Sequence, residues 1–525
     1  MKELLWWQRG IIYQIYPRSF QDSNRDGIGD LPGIMRRLPH LVDLGVDAVW
    51  ISPIYPSPMA DFGYDIANYC DIDPIFGTLS DFDNLTAQLH AAGLKLILDF
   101  VPNHTSNQHP WFLESRFSLT NARRDWYIWR DPSPDGGPPN NWTSQFGGSA
   151  WELDPTTGQY YLHSFLKEQP DLNWRNHEVC KAMFDVLRFW LDRGVDGFRV
   201  DVMWLLIKDD QFRDNPPNPG YQPGAPDNQK LLSVYNSNRP ETLEIVKEMR
   251  ALLDTYPERV LIGEIYLPTP QLVTYYGPNL EGAQLPFNFQ LLQTAWAAQP
   301  LFEMIRDYIS AIPSGAWPNW VLGNHDQKRI ATRIGAAQAR VAAMLLLTLW
   351  GTPTIYYGEE IGMTDVPISP EEVRDPAEKN QPGLGQGRDP ERTPLPWDDS
   401  PSGGFTQGKP WLKLGPDYAT INVASQTVQS DSILNLYRQL ITLRRKSAAL
   451  EEGTVEALRF EGDVLLYERS SGDEHLAIFL NTRHDTQRIA AKTGKVILST
   501  YLDRHDESLD TLHLRPAEGV IIQLP

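Results

Sequence analysis

The feature that most constrains the fold is an alternation of short apolar runs with longer amphipathic stretches through the first two thirds of the chain. The apolar runs have the length and composition of buried β-strands, and several intervening stretches repeat apolar residues at helical spacing, as in 31–44, 79–92 and 179–193. Such alternation predicts a parallel sheet with crossover helices. Seven strand candidates are strong and one, 283–289, is weaker; the strong ones are 11–15, 48–52, 95–101, 197–202, 260–265, 320–322 and 354–357. Eight such strands predict an α/β fold, a TIM (β/α)8 barrel.

Two irregular segments and a change of pattern divide the chain further. Residues 105–176 are rich in Trp, Asn, Gly and Pro and are too long for a simple loop, which predicts a small domain inserted after strand 3. A second irregular stretch, about 365–425, follows strand 8. After a strong helical pattern over 430–449, short alternating strands predict a C-terminal all-β sandwich domain over 450–525. The barrel then comprises residues 1–104 and 177–449.

Charge and composition exclude several classes of protein. The formal net charge of −20 argues against nucleic acid as a partner, because a polyanion would be repelled. Two cysteines, Cys70 and Cys180, rule out a disulfide framework. The sequence shows no signal peptide and no apolar run of about 18 residues for a membrane span, so we expect a cytoplasmic protein without a membrane partner. We expect a monomer or a small homo-oligomer.

Charged side chains follow the predicted strands where a barrel forms its active site. Arg199 and Asp201 lie two residues apart on one strand and therefore point to the same face, where the arginine is expected to hold the aspartate ionised. Glu264 follows an apolar strand, and burial would raise its pKa, as suits a general acid. Taken singly, either carboxylate fits a structural ion pair equally well. The full set at strand ends is Asp99, Asn103, His104, Arg199, Asp201, Glu264, Asn324, His325 and Asp326.

Several segments together resemble a known family of enzymes. Four of them resemble the signature regions of the α-amylase family of glycoside hydrolases (family 13): Asp99-Phe-Val-Pro-Asn-His104, Gly197-Phe-Arg-Val-Asp201, Gly263-Glu264 and Asn324-His-Asp326. Three more are similar to its oligo-1,6-glucosidase and α-glucosidase branch: Phe62-Gly-Tyr-Asp-Ile66, Gln169-Pro-Asp-Leu-Asn173 and the stretch 388–397. The resemblance implies a retaining, exo-acting α-glucosidase that releases α-glucose from the non-reducing ends of short oligosaccharides and disaccharides.

The resemblance also implies roles for individual residues. Asp201 would be the nucleophile, Glu264 the acid/base, and Asp326 a third carboxylate that grips the 2- and 3-hydroxyls of the sugar. Asp65 would bind the terminal 4-hydroxyl beside an arginine, for which we favour Arg392 over Arg388. The remaining residues expected around the same sugar are Tyr64, His104, Phe165, Arg199 and His325.

Other enzymes with the same covalent intermediate remain alternatives. A transglucosylase or a sucrose- or trehalose-type isomerase would pass the glucose to an acceptor sugar instead of water. Val202, which follows the nucleophile, resembles the residue of the α-1,6-acting enzymes, so we expect a broad specificity that includes α-1,6 links. Phe62 departs from the pattern, which usually has asparagine there; this puts fine specificity in doubt and leaves the chemistry intact.

A loop near the N-terminus has the pattern of a metal site. Oxygen-bearing groups alternate around a glycine turn, as in the first part of an EF-hand, although the glutamate at the twelfth position is missing. The alternative is an Asx-rich turn that caps the next helix. In the related glucosidases this loop looks like a calcium site, so we expect structural Ca²⁺, or Mg²⁺ in its place, and no organic cofactor. The expected ligands are Asp22, Asn24, Asp26, the Ile28 carbonyl and Asp30.

Overall fold

The computed structural model describes residues 4–505 and 507–525. Its strands in chain order are β1 (Ile12–Ile15), β2 (Ala48–Ile51), β3 (Lys95–Phe100), β4 (Trp129–Arg130), β5 (Trp151–Leu153), β6 (Tyr160–Leu162), β7 (Gly197–Val200), β8 (Val260–Gly263), β9 (Leu285–Pro286), β10 (Asn319–Val321), β11 (Thr352–Tyr356), β12 (Thr454–Glu461), β13 (Val464–Ser471), β14 (Glu474–Asn481), β15 (Gln487–Ser499), β16 (Ser508–Leu514) and β17 (Gly519–Gln523). Its α-helices are α1 (Trp6–Arg9), α2 (Leu31–Arg36), α3 (Leu38–Leu44), α4 (Leu79–Ala91), α5 (Pro110–Phe117), α6 (His177–Asp192), α7 (Glu241–Leu253), α8 (Thr269–Leu272), α9 (Gln290–Gln293), α10 (Ala298–Ala311), α11 (Ile330–Ile334), α12 (Ala336–Thr348), α13 (Pro376–Asn380), α14 (Val423–Val428), α15 (Ile433–Lys446) and α16 (Ala448–Glu451).

The predicted barrel is confirmed. Within the described residues, eight parallel strands form one sheet in the order β10-β11-β1-β2-β3-β7-β8-β9. This is the chain order of the strands taken around a circle, so the sheet curls into a nearly closed barrel. Each predicted apolar run supplies one of its strands, and nearly every residue of these strands is buried. The carboxyl ends of the parallel strands therefore meet on one face.

The seam of the barrel lies between β9 and β10, the two edges of the sheet. The weak strand candidate became β9, which is two residues long, and Pro286 has no N–H to donate. The Asn319 side chain spans the seam instead. Its Nδ2 donates to the Pro286 carbonyl at 2.5 Å, and its Oδ1 accepts from the Asn288 N–H at 2.9 Å. A side-chain amide thus takes the place of a ladder hydrogen bond.

The helix predicted over 31–44 is two helices, α2 and α3, separated at Arg37. Pro39 is the second residue of α3. A proline inside a longer helix would lack the N–H of one helical hydrogen bond, and its ring would clash with the carbonyl four residues earlier. The apolar periodicity continues across the break, which is why the pattern alone suggested one helix.

Two further sheets flank the barrel. In the segment after β3, the antiparallel sheet β4-β6-β5 has its own apolar cluster, which includes Trp142 and Trp151. In the described C-terminal part, six antiparallel strands form one sheet, β12-β13-β14-β17-β15-β16, which confirms the predicted all-β region. Alternate residues of β13 face opposite sides: Leu465 packs into the main core and Leu466 into a separate apolar cluster. The boundaries 105–176 and 450–525 stay predictions.

No helix among the described residues has the length and apolarity needed to cross a membrane.

Glu359, just after β11, is 2% exposed, and burial raises its pKa to about 8 against the opposing effect of Arg329. The folded state therefore binds this proton more tightly than the unfolded state. This proton therefore stabilises the folded state fully below pH 4.5, the ordinary pKa of a glutamate, and the stabilisation is lost as the pH rises through about 8. Glu359→Gln should thus gain stability relative to the parent between pH 5.5 and pH 8.5, as measured by urea unfolding. Glu371→Gln, at an exposed position, is the control. If the free energy of unfolding of Glu359→Gln differs from that of the parent by the same amount at every pH, the expectation is contradicted.

Candidate active site

A cavity of about 440 Å³ opens at the carboxyl ends of the barrel strands. Most of the residues expected around the sugar lie on its wall. They are Tyr64, His104, Phe165, Asp201, Glu264, His325, Asp326 and Arg388. Arg199 and Arg392 lie behind the wall, because both are fully buried and contact the lining carboxylates. The predicted residues are thus brought together, with the exception of Asp65.

Arg199 on β7 lies among three carboxylates. Its Nη1 contacts Asp99 Oδ1 at 2.7 Å and Asp201 Oδ1 at 2.8 Å, and its Nη2 lies 2.8 Å from Glu264 Oε2. The guanidinium also lies over the ring of Trp50, 5.1 Å from its centroid. Asp201 and Glu264 are therefore held by neighbouring nitrogens of one fully buried cation.

One arginine does not balance three buried carboxylates. Burial raises the pKa of Asp201, Glu264 raises it further, and Arg199 only opposes this rise. Burial also raises the pKa of Glu264 against the effect of Arg199. The expectation that Arg199 holds Asp201 ionised is therefore corrected, because the arginine is divided among three groups. The pair titrates as a unit, and uptake of one proton leaves one carboxylic acid beside one carboxylate.

The backbone around the two carboxylates is fixed by neighbouring strands. The Asp201 N–H donates to the Phe100 carbonyl at 2.8 Å, and the Glu264 N–H donates to the Val200 carbonyl at 2.9 Å. Val202 has a φ of 38°, which is rare for a β-branched residue. In this conformation its N–H donates to Glu264 Oε2 at 2.8 Å. Local strain thus accompanies a direct contact with the carboxylate.

Asp326 stands in the opposite electrostatic environment. It contacts Arg392 Nη2 at 2.8 Å and Arg388 Nη1 at 3.3 Å. Burial would raise its pKa, but the guanidinium groups of Arg392 and Arg388 outweigh burial and hold the pKa well below its usual range. The side chain is 23% exposed, towards the cavity that it lines. Asp326 is therefore a permanent carboxylate.

The histidines of the site are neutral. Burial lowers the pKa of His325 well below its usual value and that of His104 to about 4. His325 stacks on Tyr64 with ring centroids 5.3 Å apart, and its Nε2 lies 2.6 Å from the Tyr64 hydroxyl. That hydroxyl donates to Asp99 Oδ2 at 3.0 Å. Neutral rings in a fixed orientation can exchange hydrogen bonds with hydroxyl groups without adding charge.

The expectation for Asp65 is corrected. Asp65 is completely buried and does not lie on the cavity wall; its carboxylate accepts from the Ser57 hydroxyl and from two backbone N–H groups of its own loop. Asp61 lines the cavity in its place and pairs with Arg388 Nη2 at 2.6 Å. The turn from Asp61 to Tyr64 brings both of these side chains to the cavity wall. Asp61 was not among the residues predicted from the sequence.

Arg392 was expected beside the carboxylate that binds the terminal 4-hydroxyl, but the arginine that pairs with Asp61 on the cavity wall is Arg388. Arg388 contacts Asp61, Asp326 and Asp375, the last at 2.6 Å, and reaches the cavity. Arg392 donates instead to the His325 carbonyl at 2.7 Å and to Asp326. It supports the site from behind.

The outer part of the cavity was missed by the sequence reasoning. Trp204 and Tyr266 line it together, with ring centroids 5.8 Å apart. Tyr266 had a signal in the sequence, since it lies two residues after Glu264. Carboxamides supply most of the remaining polar groups, and they come from loops without any recognisable pattern: Gln145, Asn228, Gln229, Gln293, Gln327 and Gln386.

The predicted metal loop is an Asx-rich turn in this structure. Asp22 accepts from the N–H groups of Asn24, Arg25 and Gly27 at 2.7–2.9 Å, and Asp30 caps α2 by accepting from the Gly33 N–H at 2.6 Å. The part of the chain that is described contains no group of three or more His, Cys, Asp or Glu residues arranged to hold a metal ion. The candidate ligand atoms of this loop are all oxygens, which are the ligands that Ca²⁺ and Mg²⁺ prefer.

Comparison with known proteins identifies the family. The sequence profile of the family "Alpha amylase, catalytic domain" matches residues 14–453. The chain belongs to the α-amylase family. It is 43% identical over 491 residues to a probable alpha-glucosidase of Rhizobium meliloti (strain 1021), covering 91% of this chain and 89% of that protein. It is 39% identical to an oligo-1,6-glucosidase of Parageobacillus thermoglucosidasius, with complete coverage of both chains.

Solved structures agree with this assignment. The alpha-glucosyl transfer enzyme XgtA superposes with a TM-score of 0.94 at 39% identity and covers 100% of both chains. The trehalulose synthase MutB from Pseudomonas mesoacidophila MX-45 superposes with a TM-score of 0.92 at 34% identity, again over 100% of both chains. The resemblance inferred from the sequence motifs is confirmed. It extends to relatives named for hydrolysis, for glucosyl transfer and for isomer synthesis.

Proposed function

We propose that this chain is a retaining, exo-acting α-glucosidase that releases α-glucose from the non-reducing ends of short oligosaccharides and disaccharides. The observation that carries the proposal is that Asp201 and Glu264 line one cavity while both contact the buried Arg199. Relatives named alpha-glucosidase and oligo-1,6-glucosidase support it. A cytoplasmic location and a monomer or small homo-oligomer are further parts of the proposal.

In the first step, an Asp201 oxygen attacks the anomeric carbon as the glycosidic bond breaks. Glu264, protonated by the shared proton of the pair, gives this proton to the departing oxygen. The result is a glucosyl ester on Asp201 and a free leaving-group alcohol. Arg199 contacts Asp201 Oδ1 and Glu264 Oε2. It therefore does not have to move as the negative charge passes from Asp201, which becomes an ester, to Glu264, which becomes a carboxylate.

In the second step, the Glu264 carboxylate removes a proton from an acceptor, whose oxygen attacks the anomeric carbon as its bond to Asp201 breaks and the Asp201 carboxylate is restored. Water yields α-glucose; a sugar yields a transfer product or an isomer. Asp326 remains ionised throughout and binds the 2- and 3-hydroxyls of the sugar. The similarity to XgtA and to a trehalulose synthase keeps transglucosylation and isomerisation as the alternative function.

The Asp61–Arg388 pair explains why such an enzyme would act on chain ends. The pair lies on the cavity wall and offers a carboxylate and a guanidinium to the terminal hydroxyls of one sugar. A further sugar unit at that end would have to displace the pair. We therefore assign the 4-hydroxyl contact to Asp61 and Arg388.

A structural Ca²⁺, or Mg²⁺, is also part of the proposal. The side-chain oxygens of Asp22, Asn24, Asp26 and Asp30, with the Ile28 carbonyl, would hold it. Such an ion would stabilise the first loop of the barrel and supply no chemistry to the reaction.

The function is tested by incubating the enzyme separately with maltose, isomaltose, trehalose and sucrose and identifying every product. We expect free glucose from several of them, including isomaltose, in agreement with the broad specificity, including α-1,6 links, that is inferred from Val202. Asp201→Asn should lose about 10⁴-fold or more in kcat, because no ester can form, while its melting temperature stays close to that of the parent. An Asp201→Asn enzyme with full activity would refute the assignment of the nucleophile. Cleavage of maltose but not of isomaltose would refute the expected activity on α-1,6 links.

The corrected assignment of the terminal contact is tested by comparing two isosteric variants. Asp61→Asn should lower kcat/KM for p-nitrophenyl α-glucoside about 100-fold, because a charged hydrogen bond to the sugar is lost. Asp65→Asn should mainly lower stability, by about 1–3 kcal/mol in urea unfolding, and leave kcat/KM within about threefold. The reverse ranking in kcat/KM would return the role to Asp65.

The metal is tested through stability. Dialysis against EDTA should lower the melting temperature by on the order of 5 °C, and added Ca²⁺ should restore it, because an ion that binds the folded state stabilises it. Asp26→Asn removes one anionic ligand and should abolish most of this response. A melting temperature that is the same with EDTA and with Ca²⁺ would leave the loop as an Asx-rich turn.

A further inference from the structure

Phe62 is the residue at which the chain departs from the pattern it resembles, and its backbone is unusual. The Tyr64 N–H donates to the Asp61 carbonyl at 3.1 Å, which closes a four-residue turn around Phe62 and Gly63. Both central residues have positive φ, 49° and 110°, as in a type I′ turn. Glycine and asparagine favour this conformation, whereas a bulky aromatic residue in it is strained. Something must therefore hold Phe62 there.

The compensating contacts come from an aromatic and cationic stack. The Phe62 ring lies 5.5 Å from Trp411, and the Arg18 guanidinium lies 5.3 Å from the Phe62 centroid and 4.8 Å from that of Trp411. Arg18 is 6% exposed, and its Nε has no hydrogen-bond partner among the residues that the structure describes. The two rings therefore supply much of the environment of this buried cation.

Trp411 is itself fixed by two hydrogen bonds. Its indole N–H donates to Ser19 Oγ at 2.9 Å, and its backbone N–H donates to the Gly27 carbonyl at 3.0 Å. The stack thus joins the turn after β2 to two distant segments of the chain. Phe62, Trp411 and Arg18 lie 4.8–5.5 Å from one another, so the Phe62 ring has two fixed neighbours and little freedom to leave the strained turn.

The turn places two residues of the cavity. Asp61 pairs with Arg388, and Tyr64 contacts His325 and Asp99. Phe62 itself does not line the cavity, so it acts through its neighbours. We propose that Phe62 is a positioning residue for the glucose subsite: its stack with Arg18 and Trp411 fixes the Asp61–Tyr64 turn, so that Asp61 is held for the terminal 4-hydroxyl. This inference rests on the proposed function.

The readout is the discrimination ratio, defined as kcat/KM for p-nitrophenyl α-glucoside divided by kcat/KM for its 4-deoxy analogue. A loss of folded enzyme lowers both values and leaves the ratio unchanged. A displaced Asp61 lowers the ratio, because the 4-hydroxyl contact is weakened. Phe62→Leu removes the ring and keeps a residue disfavoured at positive φ, so we expect the ratio to fall about tenfold. In the Asp61→Asn background the same change should have no further effect on the ratio.

An asparagine at position 62 separates the effect of losing the ring contacts from the effect of backbone strain. Phe62→Asn lacks the ring but suits positive φ, so it should fold and keep the ratio within about threefold of the parent. Trp411→Leu should lower the ratio about tenfold when Phe62 is present and should not lower it in the Phe62→Asn background. This comparison decides the question even if Phe62→Leu does not fold.

Phe302→Leu is the matched control, because Phe302 is also partly buried beside an arginine and an aromatic ring, with Arg306 at 5.2 Å and Phe460 at 5.4 Å. It lies on α10, away from the cavity wall, and should leave the ratio unchanged. A ratio unaffected by Phe62→Leu, or lowered equally by Trp411→Leu in both backgrounds, would overturn the inference. A parent without turnover of α-glucosides would instead overturn the proposed function, and this inference with it.

Discussion

The buried guanidinium of Arg199 is the interaction on which the rest of the site depends. The strand register places Asp99 of β3 beside Arg199 of β7, and Glu264 follows the next strand, β8. A cation inside a barrel is costly unless carboxylates surround it, and carboxylates there are costly without a cation. The arrangement is stable as a unit, and its excess negative charge favours uptake of one proton. A carboxylic acid next to a carboxylate is what a two-step displacement at one carbon requires.

The same cavity changes character along its length. Its inner end is charged: Asp326 and Asp61 are each paired with arginines, and in the proposed function these groups bind the hydroxyls of a single sugar. Its outer end is lined by carboxamides and by the Trp204–Tyr266 pair, which can bind a neutral partner without specifying its charge or linkage. In the proposed function, the inner groups carry the chemistry and the loops that line the outer end determine which acceptor is used.

The sequence predicted the barrel well because its strands are buried on both faces and read as continuous apolar runs. It failed where tertiary context decides. Pro39 divides a helix whose apolar pattern is unbroken. At the short strand β9, Pro286 has no N–H to donate, and the Asn319 side chain bonds across the seam. The sequence predicted Asp65 for the sugar site and did not predict Asp61, because a motif gives positions along the chain and not the direction in which a turn sends each side chain. The ionisation of Asp201 was misjudged because a pairwise rule was applied to a cluster of four charges.

Strain is concentrated next to the carboxylates of the cavity. Val202 follows Asp201 and Phe62 follows Asp61, and both have positive φ. Such conformations cost about 1–3 kcal/mol each and persist only where the surroundings enforce them. For Val202 the enforcing contact is the hydrogen bond to Glu264; for Phe62 it is the stack with Arg18 and Trp411. A large, densely packed barrel can tolerate both costs. Val202 donates directly to the Glu264 carboxylate, and Phe62, as proposed, holds Asp61 in position.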